Sequence, residues 1–334
     1  MRQNIKNVVI AGAGIMGASF AQIFAQYGYE VVIYDNSSES IKKGKKQIEL
    51  NQTELLTSGE VSEEQSKTIL SHITFTTDME GFKKADFVLE AIIEKMEIKN
   101  EFWKQVSELV SEDSVLASNT SGLSITEMAI AVKNPGRFCG MHWVNPPHIV
   151  PLVEIISGDK TDKEALDIVW EIANNLHRKP VRVLKDAKGF VLNRLQYAVL
   201  REALHIVENG IASMEDVDNV MKYGLGMRYA VIGPFETVDL GGLDTFRTIA
   251  EYLFPDLSDT KEVPELLKSR YDEGAYGIKT GRGFYDYPGD MADEVVKKRD
   301  ANFLRLANCL FKDSSLNEDS NSRFICVKEG EEDE

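Results

Sequence analysis

The sequence is poor in the features that mark several large classes of protein. Its 334 residues include only three cysteines, Cys139, Cys309 and Cys326, whose spacing fits neither a metal centre nor a redox pair. No apolar run approaches the roughly 20 residues that cross a bilayer, and no secretory apolar segment follows the first residues. These absences predict a cytoplasmic protein without a membrane span, a disulfide framework or a metal site.

Positive charge is also scarce. The chain has 38 Lys and Arg against 54 Asp and Glu, which gives a formal net charge of −16. Phosphate backbones and anionic membrane surfaces repel such a chain, so we expect neither nucleic acid nor a membrane as a partner. Part of the excess lies in the polar segment 312–334, which is predicted to be an acidic, disordered tail.

What the sequence does contain, first of all, is a glycine-rich turn between two β-branched runs. The residues Gly12-Ala13-Gly14-Ile15-Met16-Gly17 follow a predicted strand over 7–11 and open a predicted helix. Such glycines permit a tight turn, close approach of a pyrophosphate and close packing of helix on strand. The helix start offers free N–H groups to the phosphates. We therefore predict a dinucleotide site at Gly12, Gly14, Ile15, Met16 and Gly17.

Asp35 indicates which dinucleotide binds there. It ends the second predicted strand, over 30–34, where its carboxylate can accept hydrogen bonds from a ribose diol and repel a 2′-phosphate. The following Asn36-Ser37-Ser38 supplies no arginine for such a phosphate. The pattern predicts NAD rather than NADP. The alternative is an ordinary glycine-rich turn with a surface aspartate. FAD uses the same fingerprint, but a second flavin motif is missing from the sequence.

A lone histidine is the leading candidate for acid/base chemistry. His142 follows a predicted strand, beside Asn145-Pro146, and Glu154 lies twelve residues later in an apolar run. A carboxylate in such a run is costly unless it is paired. A bond to Glu154 would fix the tautomer of His142 and stabilise the imidazolium that forms when it takes a proton from an alcohol. The alternative is a core histidine without a catalytic role.

Two further polar groups are placed to meet a substrate. Ser118-Asn119-Thr120-Ser121 follows another predicted strand, and ligands bind at the carboxyl ends of strands in open α/β sheets. Its alternative role is to cap the helix that starts near Ser124. Asn193 lies early in a long apolar helix, where its amide needs a buried partner, which could be a substrate oxygen.

The periodicity predicts an α/β chain with two domains. Alternating strands and helices indicate a Rossmann-type NAD-binding domain over 1–187, with a mostly parallel sheet and a helical hairpin inserted at about 40–70. From 188 to 311 the pattern is all-helical. Thr161, Ser213 and Gly210 are the predicted caps of three of the helices.

Taken together, these motifs resemble the 3-hydroxyacyl-CoA dehydrogenase family over roughly residues 5–290. The motifs that carry the resemblance are Gly12 to Gly17, Glu90-Ala91-Ile92-Ile93-Glu94, Ser118-Asn119-Thr120-Ser121, His142 with Asn145-Pro146, Leu152-Val153-Glu154, Gly189-Phe190-Val191-Leu192-Asn193-Arg194, Gly233-Pro234-Phe235 and Lys279-Thr280-Gly281-Arg282-Gly283-Phe284-Tyr285.

The resemblance implies an NAD domain followed by a helical domain that forms a homodimer interface. It implies that His142 is the catalytic acid/base with Glu154 as its partner, and that Ser121 and Asn193 bind the reacting oxygen of the substrate. The residues implied to contact NAD are Asp35, Glu94, Lys99, Ser121, Asn145 and Lys279.

The departures from the family pattern concern the substrate. Acyl-CoA members typically read His-Phe-Phe-Asn-Pro, whereas this chain reads His142-Trp143-Val144-Asn145-Pro146. Residues 145–152 and 224–230 look more like the gulonate 3-dehydrogenase and lambda-crystallin branch. The hairpin that contacts CoA in acyl-CoA members has a run of lysines that stops at Lys46, with only Lys67 beyond it, and its later part carries Glu49, Glu54, Glu60, Glu63 and Glu64. Residues 239–244 and the Lys279 motif, however, resemble the acyl-CoA members.

The leading hypothesis is therefore NAD-dependent oxidation of a 3-hydroxyacyl-CoA to a 3-ketoacyl-CoA. Its closest rival is oxidation of a free 3-hydroxy acid such as L-gulonate or carnitine, with Arg228 as a bidentate clamp on the carboxylate. Arg228 could equally be a surface or domain-interface arginine. A third hypothesis is a catalytically silent, crystallin-like or NAD-binding structural protein.

Overall fold

The computed structural model describes residue 1 and residues 4–57, 59 and 61–312. The predicted acidic tail, from residue 313 on, lies outside the described residues. The chain divides into two compact units, the first from Met1 to Leu195 and the second from Gln196 onward. This division falls inside a helix, so the predicted domain boundary at residue 188 stays a prediction.

The first unit is built on a sheet of eight strands. They are β1 (Asn7–Ala11), β2 (Glu30–Tyr34), β3 (Ile73–Thr76), β4 (Phe87–Glu90), β5 (Val115–Ser118), β6 (Phe138–Trp143), β7 (Leu152–Ile156) and β8 (Lys179–Val183). Their order is β3-β2-β1-β4-β5-β6-β7-β8, and only the β6–β7 pair is antiparallel. This confirms the predicted Rossmann-type α/β fold.

The central strands are apolar on both faces because helices cover both sides of the sheet. In β1, Val8 and Ile10 belong to one apolar cluster, and Val9 and Ala11 belong to the other. Cys139 in β6 is fully buried, and burial raises the pKa of its thiol to about 12. The sheet is therefore the rigid frame that carries the loops at its carboxyl edge.

Seven α-helices begin among the described residues of the first unit. They are α1 (Ile15–Gln26), α2 (Ser38–Thr57), α3 (Glu63–Ser71), α4 (Met96–Leu109), α5 (Ile125–Met128), α6 (Lys163–Asn175) and α7 (Leu192–Glu208). Short 3₁₀ turns occur at Met79–Lys84, Ala129–Ala131 and Pro135–Arg137. The predicted hairpin is confirmed as α2 and α3, between β2 and β3. Ser62 begins α3 with a capping box that includes Gln65.

The predicted caps have different outcomes. Ser213 caps the next helix by accepting a hydrogen bond from the Asp216 amide, and Gly210, at φ +66°, follows the end of α7 in the left-handed conformation. The prediction for Thr161 is wrong. Its hydroxyl instead donates to the Phe138 carbonyl oxygen at 2.7 Å, because the chain there lies against the start of β6.

The second unit is helical over the described residues. Its further helices are α8 (Met214–Val220), α9 (Met227–Tyr229), α10 (Pro234–Gly241), α11 (Leu243–Leu253), α12 (Glu265–Asp272) and α13 (Met291–Ala307), with π-helical turns at Met221–Gly226 and Asn308–Lys312. Between Gln196 and residue 310, Leu204 is the only residue that is buried in the chain. None of the helices that the structure describes has the length and apolarity to span a membrane.

Candidate active site

The glycine-rich loop meets three different steric demands. Gly12 has a φ of +107°, and a Cβ on it would lie 2.5 Å from the Ala91 carbonyl oxygen. A Cβ on Gly17 would lie 1.8 Å from the Gly12 carbonyl oxygen. A Cβ on Gly14 would meet no atom within 4 Å. Gly12 and Gly17 are therefore required by the protein's own backbone, whereas Gly14 leaves open space in which a ligand can approach the loop.

Asp35 is held rigidly beside this loop. Its two oxygens accept hydrogen bonds from the Ala13 amide at 3.0 Å and the Ser37 amide at 2.9 Å. A carboxylate has about four acceptor positions, so two remain for a ribose diol. A cleft of about 680 Å³ lies here, with Ile92, Ile98 and the glycine loop in its walls. Apolar walls around a fixed carboxylate and a free helix start suit a bound NAD.

His142 and Glu154 form the pair that the sequence predicts. They are directly opposite each other on the antiparallel strands β6 and β7. The ring nitrogen Nδ1 of His142 lies 2.8 Å from Oε2 of Glu154, and both residues are buried. Since a carboxylate can only accept this bond, Nδ1 carries the hydrogen and Nε2 remains as the basic nitrogen.

The second oxygen of Glu154 holds the start of α7. Its Oε1 accepts hydrogen bonds from the Val191 amide at 2.8 Å and the Leu192 amide at 2.9 Å. Burial alone would raise the pKa of Glu154. The bonds from His142 and from these two amides outweigh burial and lower the pKa below its ordinary value. Glu154 is therefore ionised at neutral pH and serves two elements at once.

The backbone before α7 turns in an unusual way to allow this contact. Gly189 and Phe190 have φ values of +78° and +51°, in the left-handed region that is uncommon for a bulky residue. The buried ring of Phe190 lies 5.7 Å from the ring of His142. The same turn brings the Asn193 side chain to Ser121, where its Nδ2 donates to the carbonyl oxygen at 2.8 Å.

The residues Ser118 to Ser121 bond to three parts of the site, and Thr120 and Ser121 share one of them. The Ser118 hydroxyl donates to Oε2 of Glu90 at 2.7 Å, and Oδ1 of Asn119 accepts from the Trp143 amide at 2.8 Å. Oε1 of Glu94 accepts two hydrogen bonds, from the Thr120 hydroxyl at 2.5 Å and from the Ser121 amide at 2.9 Å. Ser124, not one of these four, caps α5. The alternative prediction of a helix cap within the motif is thus wrong.

The first unit thus brings together His142, Glu154, Ser121 and Asn193, four residues that are far apart in the sequence. Asn145 is exposed in the loop after β6, where its peptide bond to Pro146 is cis. Lys99 is buried beneath the site. Lys279 and Arg228 are exposed residues of the second unit. Their predicted contacts with NAD and substrate stay predictions.

Three residues hold the site through contacts that the sequence did not predict. Glu90 binds Ser118, Asn119 binds the backbone next to His142, and Arg178 donates to the Pro147 carbonyl oxygen at 3.0 Å. The Arg178 guanidinium also lies over the Trp143 ring, 5.5 Å from its centroid. Glu90 had a signal as an acid at the end of an otherwise apolar strand, and Asn119 lay within the predicted Ser118–Ser121 motif. The Arg178 contacts depend on residues that local patterns do not reveal.

Comparison with known proteins identifies the family. Residues 7–187 match the model of the 3-hydroxyacyl-CoA dehydrogenase NAD binding domain, and residues 189–287 match the model of the C-terminal domain. The chain belongs to the 3-hydroxyacyl-CoA dehydrogenase family. The membership confirms the predicted resemblance, NAD as cofactor and an NAD-dependent oxidoreductase as the class of enzyme.

Relatives in this family differ in the substrates that their names give. The chain is 38% identical to 3-hydroxybutyryl-CoA dehydrogenase from Clostridioides difficile, over 84% of this chain and 99% of that one. It is 33% identical to 5-formyl-3-hydroxy-2-methylpyridine 4-carboxylate 5-dehydrogenase from Mesorhizobium japonicum, over 88% and 95%.

Solved structures show the same division. A crystal structure of the pyridine carboxylate enzyme, described as an NAD+-dependent dismutase, aligns with a TM-score of 0.85 at 32% identity, over 92% of this chain and 98% of that one. The (S)-3-hydroxybutyryl-CoA dehydrogenase from Ralstonia eutropha aligns with a TM-score of 0.73 at 34% identity, over 86% and 100%. The family is therefore certain, while the named substrates diverge.

The geometry of the glycine loop predicts that replacement by alanine lowers stability at Gly17 but lowers cofactor affinity at Gly14. Gly17→Ala places a Cβ against backbone, so we expect it to lower the free energy of unfolding by about 1–3 kcal/mol. Gly14→Ala meets open space, so stability should change by less than about 1 kcal/mol. Its Cβ would occupy the open space beside the loop where a pyrophosphate would bind, and NADH affinity should fall at least about tenfold, or about 1.4 kcal/mol. Urea unfolding and NADH fluorescence titration measure both quantities. Equal stability losses would contradict this assignment.

Proposed function

We propose that this protein oxidises the 3-hydroxyl group of a 3-hydroxyacyl-CoA to a ketone, with NAD as the hydride acceptor. The observation that carries the proposal is the buried His142–Glu154 pair at the carboxyl edge of the sheet, in a chain of this family. The same edge carries the glycine loop and Asp35. A base for the hydroxyl proton and a site for a hydride acceptor are the two requirements of alcohol oxidation.

In this proposal His142 is the general base. Its Nδ1 hydrogen is committed to Glu154, so Nε2 takes the proton of the substrate hydroxyl while NAD, when bound, accepts the hydride from the same carbon. The imidazolium that results is stabilised by the adjacent carboxylate. The silent, crystallin-like alternative would not require a histidine whose Nε2 is left as the basic nitrogen by a buried carboxylate.

Ser121 and Asn193 hold the reacting oxygen in this proposal. The Asn193 amide donates one hydrogen to the Ser121 carbonyl oxygen, so a second hydrogen on the same nitrogen stays available. The Ser121 hydroxyl can also donate. Two donors at the substrate oxygen favour the ketone and its negatively polarised oxygen. Their proposed roles rest on their proximity, because Asn193 lies at the start of α7 and Ser121 follows the end of β5.

Replacement of His142 tests the proposed base. His142→Gln keeps a polar side chain but removes the basic nitrogen, so we expect kcat to fall at least about 100-fold while NADH binds normally. Steady-state assays of NADH formation and fluorescence titration give the two values. His72→Gln is the matched control, because His72 pairs with Glu30 at the amino end of β3. Unchanged kcat in His142→Gln would refute the proposed role.

A free acid is the second candidate substrate. The relative described as acting on a pyridine carboxylate aligns with 92% of this chain, and its name includes no thioester. In the hairpin, Lys45 lies over the Phe75 ring and Lys43 lies 4.0 Å from Glu39. Two of the four lysines at the start of α2, at positions 42, 43, 45 and 46, therefore have other partners than a CoA phosphate. Arg228, exposed on α9, forms no ion pair with any residue that the structure describes and could bind a carboxylate.

A substrate panel separates the two candidates. We expect turnover of (S)-3-hydroxybutyryl-CoA to exceed that of L-gulonate, L-carnitine and 5-formyl-3-hydroxy-2-methylpyridine 4-carboxylate, measured as kcat/KM from NADH absorbance. If a free acid is the better substrate, Arg228→Ala should raise its KM at least about tenfold, since a bidentate clamp on a carboxylate is lost. Lys222→Ala, another exposed cation nearby in the sequence, is the control. An unchanged KM would exclude the clamp.

We also propose that the second unit forms a homodimer. From Gln196 to residue 310 only Leu204 is buried, while Phe235 and Tyr223 are 86% and 77% exposed. A helical domain cannot be stable without burying apolar side chains, and a second copy offers an identical surface.

A cytoplasmic location likewise stays a proposal that follows from the composition.

Light scattering tests the dimer. We expect twice the chain mass of 37.4 kDa in dilute solution. Phe235→Glu should shift the mass towards that of one chain, because a charge in an apolar interface is costly. Lys298→Glu, a change at an exposed polar position, is the control. A wild-type protein that stays at the mass of one chain at high concentration would exclude the proposal.

A further inference from the structure

An arginine side chain is packed against the loop that connects β6 to β7. Arg178 lies just beyond the end of α6, and its Nη1 donates a hydrogen bond to the Pro147 carbonyl oxygen at 3.0 Å. The guanidinium also lies over the ring of Trp143, 5.5 Å from its centroid. Trp143 is the last residue of β6, and Pro147 lies within the loop. Arg178 therefore connects the end of the strand to the loop beyond it.

The loop is a tight turn that carries one exposed amide side chain. The Pro146 carbonyl oxygen accepts hydrogen bonds from the Ile149 amide at 3.1 Å and the Val150 amide at 2.9 Å. Pro146 and Pro147 are buried, whereas Asn145 is exposed. Asn145 is the residue of this loop that is predicted to contact NAD. Any displacement of the turn therefore displaces the predicted cofactor contact.

Arg178 lies on the face of the sheet opposite to the candidate base. Successive residues of a strand point to opposite faces. Trp143 packs against Phe20 of α1, with ring centroids 5.1 Å apart, whereas His142 lies next to Phe190 in the other apolar cluster. The guanidinium on Trp143 is therefore placed behind the loop, where it can act on the site only through the loop.

The packing of this arginine is not favourable for stability alone. Burial lowers the pKa of the Arg178 guanidinium below its ordinary value, yet an arginine stays charged in a protein. Two buried donors here, Nε of Arg178 and Nε1 of Trp143, have no hydrogen-bond partner among the described residues. A partly buried charge and buried N–H groups without partners lower stability. A role in the site accounts for the pair better than a role in the core.

We propose that Arg178 is a positioning residue for the cofactor, because it fixes the turn that carries Asn145. It does so by binding the Pro147 carbonyl oxygen while it is stacked on the Trp143 ring. This inference rests on the proposed function and on the predicted contact of Asn145 with NAD. A turn without this support leaves the cofactor less tightly bound and the hydride acceptor less well oriented. The base His142, held from the other face, keeps its place.

Arg178→Met tests the proposal, because it removes the donor and the charge and keeps an apolar stem. We expect the Kd of NADH to rise at least about fivefold and kcat at saturating NAD to fall at least about fivefold. Residues 144–150 should exchange their amide hydrogens faster in hydrogen-exchange mass spectrometry. The Tm should change by less than about 4 °C, and the pH dependence of kcat/KM should stay the same because His142 is not moved.

Arg182→Met is the matched control. The Arg182 guanidinium also lies over a tryptophan ring, 4.7 Å from the centroid of Trp170, but it pairs with Asp167 instead of a loop. This variant should keep the Kd of NADH within about twofold of the wild-type value. A rise of less than about fivefold in Arg178→Met would overturn the proposal, and so would unchanged exchange of residues 144–150.

The stacking on Trp143 is tested by a double-mutant cycle. Trp143→Phe keeps an aromatic residue in the core but offers the guanidinium a smaller face. If the tryptophan acts through the arginine, Trp143→Phe raises the Kd of NADH in the wild type and has no further effect in Arg178→Met. Equal effects in both backgrounds would show that Trp143 acts only as a core residue and would overturn this part of the proposal.

A further variant keeps the test decisive if Arg178→Met fails to fold. Arg178→Lys keeps the positive charge and one donor but loses the planar group that stacks on the ring. The Kd of NADH should then rise at least about twofold, with faster exchange of residues 144–150. Wild-type values of both quantities in a folded Arg178→Lys would contradict the proposal.

Binding and exchange also separate this inference from the proposed function. If the wild-type protein binds NADH but turns over neither the thioester nor any free acid, the proposed function fails. The Kd of NADH and the exchange of residues 144–150 in Arg178→Met still report whether the arginine positions the turn.

Discussion

The geometry of the site depends on the carboxylate of Glu154. One oxygen accepts from His142 and the other accepts from two amides at the start of α7. Burying this charge in β7 would be costly, and three donors offset the cost. The antiparallel pairing of β7 with β6 also places Glu154 directly opposite His142. A single residue thereby sets the tautomer of the candidate base and the position where the next helix begins.

From that helix start the hydrogen bonds continue around the site. α7 places Asn193 on the Ser121 carbonyl oxygen, and Glu94 holds the Ser121 amide from the other side. The two carboxylates, Glu154 and Glu94, thus act on opposite ends of one connected set of contacts. Each is tied to the sheet, Glu154 directly and Glu94 through Lys99 and Glu90. A rigid sheet can therefore impose its geometry on loops that would otherwise move independently.

Local patterns in the sequence predicted the strands, the glycine loop and the His142–Glu154 pair. These features are readable because short β-branched apolar runs and turn residues act within a few positions, and because an acid in an apolar run needs a partner. The Phe190 backbone and the burial of Lys99 were not predictable in this way. Both depend on residues distant in sequence, as does the contact that draws Thr161 to β6 instead of α6.

The same distinction between local patterns and distant contacts explains why the sequence indicates the type of reaction more clearly than the substrate. Proton and hydride transfer from a secondary alcohol need one constellation, which in the proposed function His142, Glu154 and the cleft at the glycine loop would supply. A thioester and a free acid differ instead in where they carry negative charge, as CoA phosphates or as one carboxylate. In a chain with a net charge of −16, either substrate requires a local positive group. If the lysines at the start of α2 bind the negative charge of the substrate, the substrate is a CoA thioester. If Arg228 binds it, the substrate is a free acid.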